Sequence, residues 1–562
     1  MKVIIIGGVA GGASCAARLR RLNEEAKITI YERTGYISYA NCGLPYYIGD
    51  VIKDKNNLTL QTPQSFNKRF NIDVKVKHEV IKIDTVNKQV LVKDLLSGNT
   101  FYDTYGKLVL SCGAKAKLPP FYKESSNVFT VRTVEDTYKI KAFIDAKKPL
   151  RATIIGGGYI GVEMAENLHN LGIRVSLVQS NKQLLKIIDS DLVSFVHSEI
   201  RSKGIKLYLG KKVSNVVVDD VITTHLQDGC EIESDMIIYA IGVTPDSKLA
   251  QDANLELGVN NSVKVNSHML TSNPDIYAVG DMVEVKHFIT KEDVLISLAG
   301  PANKQGRVTA DNICGIPSEF KYSLGSSIIK VFDLDVAKTG LTEKECIDKG
   351  YNYESVILTP ASHATYYPNA RVLTLKVVYN KENKEILGAQ AVGYDGVDKR
   401  IDVLATAIKC KMKATDLKDL DLAYAPPYSS AKDPVNMAGF IIDNIENNIV
   451  KQFSYEETKT LRTKDVILLD TRTEFEYKRG HAEGFINIPL DDLRSRLDEL
   501  DKSKSVYVMC QSGLRSYLAT RILTQYGFNS YNFIGGYRLY SSINNEEKLI
   551  KESYTCGMDR SK

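Results

Sequence analysis

The chain of 562 residues is 43% hydrophobic and 25% charged, and its formal net charge is +5. This length is too great for one hydrophobic core and, at about 150 residues per domain, indicates three or four domains. The small charge gives no basis for a nucleic-acid partner, and no run of about 18 apolar residues predicts a membrane span. The nine cysteines follow no disulfide or C-x-x-C metal spacing, so we expect reduced thiols in a cytoplasmic protein.

The first predicted elements are a buried strand, a glycine-rich turn and a helix, in the stretch MKVIIIGGVAGGASCAARLRRL. The next strand, KITIYER, ends in an acid about 20 residues after the turn, a distance typical of a carboxylate that binds ribose hydroxyls. Val9 replaces the middle glycine of the G-x-G-x-x-G pattern. The pattern predicts a dinucleotide site that includes Gly7, Gly8, Gly12 and Glu32.

The segment SYANCGLPYY contains one cysteine, Cys42, where a loop is predicted to enter a helix. Amide dipoles at a helix start lower the pKa of a thiol and favour the nucleophilic thiolate. Many enzymes of disulfide chemistry carry a second cysteine five residues later, but Tyr47 stands there. The second sulfur must then come from a small thiol, or oxygen must cap Cys42 as a sulfenic acid.

A second strand–turn–helix opening follows in ATIIGGGYIGVEMAENLHNLGIRVSLV. Gly156, Gly158 and Gly161 stand in full register, so phosphate oxygens can meet backbone amides at the helix start. The next strand ends in Gln179 rather than in an acid, which would repel a 2′-phosphate. The pattern predicts a second dinucleotide and leaves NADH and NADPH as alternatives.

Further on, TSNPDIYAVGDMVEV predicts a strand ending at Gly280 and Asp281, where a carboxylate can reach the ribityl hydroxyls of a flavin. LVLSCGAKAKLPP and YAIGVTPDSKLA look like short crossovers between two domains. On these motifs, the chain to about residue 445 resembles the FAD/NAD(P)-dependent disulfide reductase superfamily. The resemblance implies an α/β homodimer with two Rossmann-like domains and an α+β dimerisation domain. Its predicted bounds are 1–119 and 246–324 for FAD, 120–245 for NAD(P), and 325–445 for dimerisation.

Within that superfamily, SYANCGLPYYIGD resembles the coenzyme A disulfide reductases and NADH-dependent persulfide reductases, although NADH oxidases and peroxidases share the lone cysteine. Taken alone, the arginines of the first helix indicate a solvated basic edge. The resemblance implies instead that they meet the phosphates of coenzyme A, and that other side chains lie near its pantetheine sulfur. The residues assigned to substrate binding on this ground are Ser14, Arg18, Arg21, Ser38, Asn41 and Lys432.

The resemblance also implies that tyrosines of the partner subunit act as proton donors near the redox thiol. They lie in SHATYYPNA and LAYAPPYSSAKDPVNMAG, where Tyr366 and Tyr424 are our candidates and their neighbours Tyr367 and Tyr428 are alternatives. In the second turn, Tyr159 is implied to be a gate over the flavin. Glu163 is implied to contact the region of the nicotinamide.

The last hundred residues predict a further α/β domain at 455–562. A strand ends at Asp470, and SVYVMCQSGLRSYLATR gives a strand, a loop that opens at Cys510, and a helix. The spacing C-x-x-G-x-R-S predicts a nest of amides that stabilises a thiolate or persulfide, with Arg515 at its rim. This section resembles a single rhodanese domain, which implies that Cys510 carries sulfane sulfur. Asp470 and His481 are expected to support the fold.

Together these features predict a FAD-dependent, NAD(P)H-driven reductase of coenzyme A disulfide, persulfide or polysulfide, fused to a sulfurtransferase. An NADH oxidase or peroxidase with an accessory rhodanese domain is the alternative hypothesis, and a redox-sensing or scaffold protein is the third. The sequence leaves open which donor loads Cys510, and whether sulfur passes directly from it to Cys42.

Overall fold

A computed structural model of the protein describes residues 1–219 and 221–552. It contains two compact units, of which the first comprises Met1–Lys182 with Gly204–Gly325. The second comprises Gln183–Lys203 with the chain from Ser326 onwards. Within the described ranges, no helix is both long and apolar enough to cross a bilayer.

The amino-terminal sheet of the first unit has five parallel strands, and the apolar run that opens the chain lies at its centre. Parallel strands covered on both faces are nearly continuous apolar runs, as this one is. The helix Ala10–Leu22 leaves the central strand and packs against the helix Ala299–Ile313. Across the sheet the strands are Ile276–Ala278, Lys107–Leu110, Lys2–Ile6, Lys27–Glu32 and Asp73–Val76.

A second parallel sheet repeats this plan with the helix Tyr159–Asn170 after its central strand. The two segments predicted to be crossovers pair with each other as antiparallel strands, Ala114–Ala116 with Val243–Pro245. Across the second sheet the strands are Val128–Thr130, Met236–Tyr239, Arg151–Ile155, Arg174–Gln179 and Lys206–Leu209. Both predicted strand–turn–helix openings are therefore present in the first unit.

Smaller elements complete this unit. Two antiparallel three-stranded sheets consist of His78–Asp84, Gln89–Asp94 and Thr100–Thr104, and of Val213–Val218, Ile222–Leu226 and Glu231–Ser234. Two-stranded pairs are Ile37–Tyr39 with Thr59–Gln61 and Val285–Lys286 with Asp293–Val294. The other helices are Leu44–Ile48, Pro63–Phe70, Val134–Lys147 and Lys248–Asp252, with 3₁₀ turns at Asn41–Gly43, Lys55–Asn57 and Val259–Asn261.

The second unit contains an antiparallel sheet and a parallel sheet. The antiparallel strands, in order, are Ser327–Val331, Leu334–Gly340, Ile386–Gly393, Leu373–Asn380 and Tyr353–Leu358. The elements that accompany them are the helices Ser190–Ser202, Glu343–Asp348, Val397–Lys409 and Pro434–Glu446 and the 3₁₀ turn Ala414–Asp419.

The strands of the parallel sheet, in order, are Lys451–Phe453, Ser530–Phe533, Val506–Met509, Ile467–Asp470 and Ile486–Asn487. Their helices are Tyr455–Leu461, Glu474–Lys478, Leu514–Gln525 and Gly536–Glu552, with 3₁₀ turns at Leu493–Ser495 and Leu497–Glu499. These sheets confirm the predicted α/β class.

A buried lysine ties the helix Ser190–Ser202 to the antiparallel sheet. The Lys376 side chain is fully buried, and its Nζ lies 3.1 Å from Asp189 and 2.9 Å from Asp191, and also pairs with Glu343. Burial alone lowers the pKa of an ammonium group, but these carboxylates outweigh it and hold the pKa of Lys376 well above its usual value. The lysine is therefore charged and balances part of a buried acidic cluster.

The same helix is fastened on another side to the carboxyl-terminal helix Gly536–Glu552. Glu546 pairs with Arg201 and lies 3.0 Å from Nδ1 of the buried His197. Burial opposes ionisation of Glu546, but its bonds with His197 and Arg201 lower the pKa of this carboxyl to about 2. The helix Ser190–Ser202 is thus held between the antiparallel sheet and the last domain.

We expect Lys376→Met to lower the free energy of unfolding by about 3–5 kcal/mol, because it leaves buried carboxylates without their cation. Urea titration of the purified protein would measure the loss. Lys344→Met is the matched control, since this lysine is mostly exposed and pairs with Asp348 one helical turn away. The free energy of unfolding should fall by less than about 0.5 kcal/mol in Lys344→Met. Equal losses in the two variants would contradict a stabilising role for the buried cluster.

Candidate active sites

The first glycine turn leaves a helix start open to a ligand. Gly7 has φ +98°, and a Cβ there would lie 2.2 Å from the Ser111 carbonyl oxygen. Among the described side chains, none caps the helix Ala10–Leu22, and its first turn contains no acid. The buried Glu32 carboxylate accepts hydrogen bonds of 2.9 Å from the backbone amides of Gly8 and Thr34. The turn thus offers amides for phosphate and a fixed carboxylate for ribose.

The second turn has the same construction. Gly156 has φ +113°, and a Cβ on Gly161 would lie 1.9 Å from the Gly156 carbonyl oxygen. A Cβ on Gly158, at the start of the helix, would meet no described atom within 4 Å. The side-chain oxygen of Gln179 lies 3.4 Å from the amide of Gly157. The space above Gly158 suits a second phosphate group.

Cys42 lies exposed in a 3₁₀ turn that leads into the helix Leu44–Ile48. Partial burial of its inner side, together with Glu163 and Asp281, raises the pKa of the thiol, and Arg132 opposes them. We predicted a lowered pKa for Cys42, and this prediction is wrong. Desolvation and the two carboxylates raise the pKa of Cys42 more than Arg132 lowers it. Asp281 and Arg132 form an ion pair of 2.7 Å.

Glu163 is a second titratable group of this centre. Burial and, to a lesser extent, Glu166 raise the pKa of Glu163 to about 7, although a hydrogen bond from Tyr46 lowers it. The Tyr46 hydroxyl lies 3.5 Å from a Glu163 oxygen. Near neutral pH the net charge beside Cys42 therefore changes as Glu163 gains or loses its proton.

Tyr47, which stands where a second cysteine was expected, belongs to an aromatic cluster. Its ring lies edge-on to that of Tyr138, with centroids 5.8 Å apart, and Tyr138 contacts Tyr36 at 5.9 Å. The position is used for packing, so the helix that follows Cys42 offers it no sulfur partner.

A cavity of about 390 Å³ lies beside the first helix in the same unit. Ser14, Arg18, Arg21 and Ser38, all predicted to bind substrate, line it together. Asn41 is not among its lining residues and is exposed next to Cys42. The remaining lining residues are Ala13, Ala17, Gln61, Phe66, Phe70, Asn303 and Arg307.

Polar contacts order the walls of this cavity. The Ser14 hydroxyl donates to the Asn303 side chain at 2.5 Å, and Arg18 pairs with Asp311 at 2.7 Å. Arg307 lies 3.9 Å from the same carboxylate. One carboxylate therefore faces two of the three cavity arginines, which leaves the wall net positive. The expected solvated edge is wrong for Arg20, because its buried guanidinium donates to backbone carbonyls such as Phe70 and Ala26.

In the second unit, the two candidate tyrosines meet. The hydroxyls of Tyr366 and Tyr424 lie 2.7 Å apart, and both side chains are exposed. The buried Arg400 connects their loops, since it donates to the Ser362 carbonyl at 2.9 Å and pairs with Asp433 at 3.0 Å. Lys432 precedes that aspartate and is exposed.

Cys510 is fully buried at the end of the strand Val506–Met509. Its sulfur accepts hydrogen bonds from the Gly513 amide at 3.1 Å and the Ser516 hydroxyl at 3.2 Å. Asp470 is buried against Arg472, and the His481 ring is stacked on Tyr477. The loop thus presents donors to one sulfur, which is the geometry that stabilises a thiolate or a persulfide anion.

Comparison with known families identifies the arrangement. The model described as pyridine nucleotide-disulphide oxidoreductase matches residues 1–306, more than half of the chain. The chain belongs to the pyridine nucleotide-disulphide oxidoreductase family. Its dimerisation-domain model matches residues 326–434, and a rhodanese-like domain matches residues 454–542. This oxidoreductase is therefore an enzyme of the predicted superfamily, whose cofactors are FAD and NAD(H).

Several relatives cover most of the oxidoreductase. Coenzyme A disulfide reductase of Staphylococcus haemolyticus is 37% identical over 440 residues, which are 78% of this chain and 98% of the relative. The structure of reduced Bacillus anthracis CoADR-RHD is 47% identical, with a TM-score of 0.94 over 97% of this chain and 98% of that one. A NAD-dependent persulfide reductase from A. fulgidus is 35% identical, with a TM-score of 0.91 over 96% and 100%.

The residues of the first unit fit the FAD of this family. A Cβ on Gly12 would lie 2.0 Å from the Gly7 carbonyl oxygen, so the first helix starts close to the turn, and no described side chain caps it. Gly7, Gly8 and Gly12 would hold the pyrophosphate and Glu32 the ribose, while Asp281 would face the ribityl chain. These roles, like those of Tyr159 and the second turn toward nicotinamide, stay predictions.

Sequence reasoning missed several charged residues of these centres. Arg132 belongs to none of the sequence motifs. Arg400 pairs with Asp433, and Glu476 pairs with Arg515, and both partners are distant in sequence. Asn303 and Arg307 could have been found from their spacing. They are four residues apart after the strand that ends at Gly280, so on a helix they share one face.

In Glu163→Gln we expect the pKa of the Cys42 thiol to fall, because a carboxylate that disfavours the thiolate is removed. Alkylation by iodoacetamide follows the thiolate fraction, so its pH midpoint at Cys42 should move about one unit lower. Peptide mass spectrometry would follow Cys42 alone. Below pH 7 the variant and the wild type should converge, since Glu163 is then protonated. The exposed Glu25→Gln is the control; an unchanged or higher midpoint in Glu163→Gln would contradict the coupling.

Proposed function

We propose that this enzyme reduces coenzyme A disulfide or persulfide with NAD(P)H at Cys42, and that Cys510 transfers sulfane sulfur. The observation that carries the proposal is that one unit holds both an exposed lone thiol and a cavity lined by three arginines. The printed names of the S. haemolyticus and A. fulgidus relatives support it. An enzyme acting on O₂ has no use for such a cavity.

The cavity suits the nucleotide end of coenzyme A. Arg21 and Arg307 offer guanidinium donors to its phosphates, and Arg18 is held in place by Asp311. Phe66 and Phe70 supply an apolar wall. Ser38 links the cavity to the Cys42 segment, so the pantetheine arm would run past it and past Asn41 toward the thiol.

At Cys42 the thiolate attacks one sulfur of coenzyme A disulfide, and a mixed disulfide forms as a coenzyme A thiolate leaves. With the persulfide, attack on the inner sulfur forms the same mixed disulfide and releases hydrosulfide. FAD, when bound, supplies the two-electron chemistry that links NAD(P)H to this disulfide. Glu163 can take up or release a proton beside Cys42 near neutral pH.

We further propose that the enzyme works as a cytoplasmic homodimer, in which Tyr366 and Tyr424 of one subunit serve Cys42 of the other. Their hydrogen-bonded hydroxyls form a proton-donating pair for the departing thiolate. Arg400 positions both loops, and Lys432 adds a cation at the same exposed surface. The matched dimerisation-domain model supports the assembly.

The direct test compares wild type with Cys42→Ser on coenzyme A disulfide, coenzyme A persulfide and O₂, with NADH and with NADPH. We expect Cys42→Ser to abolish thiol-dependent turnover while FAD stays bound. Arg21→Gln and Arg307→Gln should each raise KM for coenzyme A disulfide about tenfold, because each removes a charge-assisted contact with phosphate. Arg174→Gln, on an exposed strand start of the second sheet, is the control. Rapid O₂ consumption with no coenzyme A adduct on Cys42 would favour an oxidase instead.

Subunit complementation tests the shared site. Cys42→Ser and the double variant Tyr366→Phe/Tyr424→Phe are expected to be nearly inactive alone, the latter by about 10²-fold. Mixed dimers would contain one intact site, so co-expression should restore about one quarter of wild-type turnover, since about half of the dimers are mixed. No recovery in a sample shown to contain mixed dimers would mean that the tyrosines serve their own subunit or neither.

A further inference from the structure

Two arginines border the Cys510 loop, and each is already paired with a carboxylate of its own domain. Arg515 binds Glu476 in a bidentate manner, with both nitrogen–oxygen distances at 2.7 Å. Arg472 is buried against Asp470 at 2.7 Å and reaches Gln511 of the loop at 3.4 Å. Both guanidinium charges next to the loop are therefore balanced before any substrate enters.

The structure also holds Glu476 in place. It is the third residue of the helix Glu474–Lys478, and its Oε2 accepts from the amide of Thr473 at 3.1 Å and from the Thr473 hydroxyl at 3.0 Å. The hydrogen bond from Arg515 is the largest of the causes that lower the pKa of Glu476 to about 2. The carboxylate is consequently ionised throughout the working pH range.

We propose that Glu476 determines which sulfur donors load Cys510: by neutralising Arg515 it selects persulfides whose leaving group is a thiol over thiosulfate. This inference rests on the proposed sulfur transfer at Cys510 and names its substrate class. Thiosulfate is a dianion, and its oxyanion end must face the rim of the loop while its outer sulfur meets Cys510. A rim arginine already bound to a carboxylate has two of its five donors occupied and its charge balanced, so it attracts that oxyanion less than a free guanidinium would.

The two loading reactions differ in where charge leaves. With a persulfide, the Cys510 thiolate attacks the terminal sulfur of R–S–SH, the S–S bond breaks, and the proton departs with the thiol R–SH, leaving a Cys510 persulfide anion. With thiosulfate, the same attack on the outer sulfur expels sulfite with the bonding electron pair. Only the second reaction places a doubly charged leaving group at the rim.

The test measures kcat/KM for loading of Cys510 from thiosulfate and from N-acetylcysteine persulfide in the full-length enzyme, by the mass gained at the Cys510 peptide. In Glu476→Gln we expect the thiosulfate value to rise about tenfold, as one charge-assisted contact becomes available, and the persulfide value to stay within about twofold. Glutamine keeps the capping acceptor, so the helix start is preserved.

Glu474→Gln is the matched control, since it removes the same charge from the same helix but its side chain is exposed and pairs with Lys478 at 3.1 Å. Glu474→Gln should leave kcat/KM unchanged for both sulfur donors. Adding Arg515→Gln to Glu476→Gln should cancel the gain in kcat/KM for thiosulfate. Wild type itself should prefer the persulfide by about 100-fold or more, the combined effect of charge and leaving group.

The outcomes distinguish failure of the proposed sulfur transfer at Cys510 from failure of the proposed role of Glu476. If neither donor loads Cys510 in wild type, the proposed sulfur transfer fails. If wild type is loaded but uses both donors equally, or if Glu476→Gln leaves the donor ratio unchanged, the role of Glu476 is overturned. An equal gain in Glu474→Gln would also overturn it, because the effect would then be one of net charge.

Discussion

The close approach of glycine backbones at the first helix is the constraint on which the arginine-lined cavity depends. A Cβ on Gly12 would lie 2.0 Å from the Gly7 carbonyl oxygen, and a Cβ on Gly306 would lie 2.4 Å from that of Gly11. The first contact seats the helix on its sheet and the second seats it against the helix Ala299–Ile313. Because side chains of both helices line the cavity, their spacing follows from backbone contacts that any side chain would break. The side chains concerned are Ser14, Arg18, Arg21, Asn303 and Arg307.

Cys42 and Cys510 lie in different electrostatic surroundings. Cys42 is exposed beside Glu163 and Asp281, which favour the neutral thiol, so its reactivity depends on Arg132 and on whatever charge binds next to it. Cys510 is buried, yet donors from Gly513 and Ser516 point at its sulfur. A thiol whose charge depends on its surroundings suits a cycle of reduction and release. A sulfur held by fixed donors suits storage of a persulfide anion, which must last until an acceptor arrives.

Local patterns in the sequence predicted most of the architecture, because strand–glycine–helix turns and the C-x-x-G-x-R-S loop are encoded within about 30 residues. The family resemblance named Ser14, Arg18, Arg21 and Ser38 as substrate-binding residues, and the structure places these four on one cavity. Sequence reasoning missed ion pairs between residues distant in sequence, such as Glu476 with Arg515, or Arg400 with Asp433. It also gave the wrong sign for the pKa of Cys42, since a helix start is visible in a sequence but neighbouring carboxylates from other elements are not.

The attachment of the last domain illustrates the same limit. Only a short segment separates the helix Pro434–Glu446 from the first strand of the rhodanese domain, Lys451–Phe453. In the structure, Glu546 of that domain also binds Arg201 and contacts His197, and Lys376 fastens the same helix to the antiparallel sheet. Removing the domain would therefore leave Arg201 and a buried histidine without their carboxylate. A domain that supplies a buried counterion to its neighbour is part of the same structural unit, and its removal would affect the stability of that neighbour.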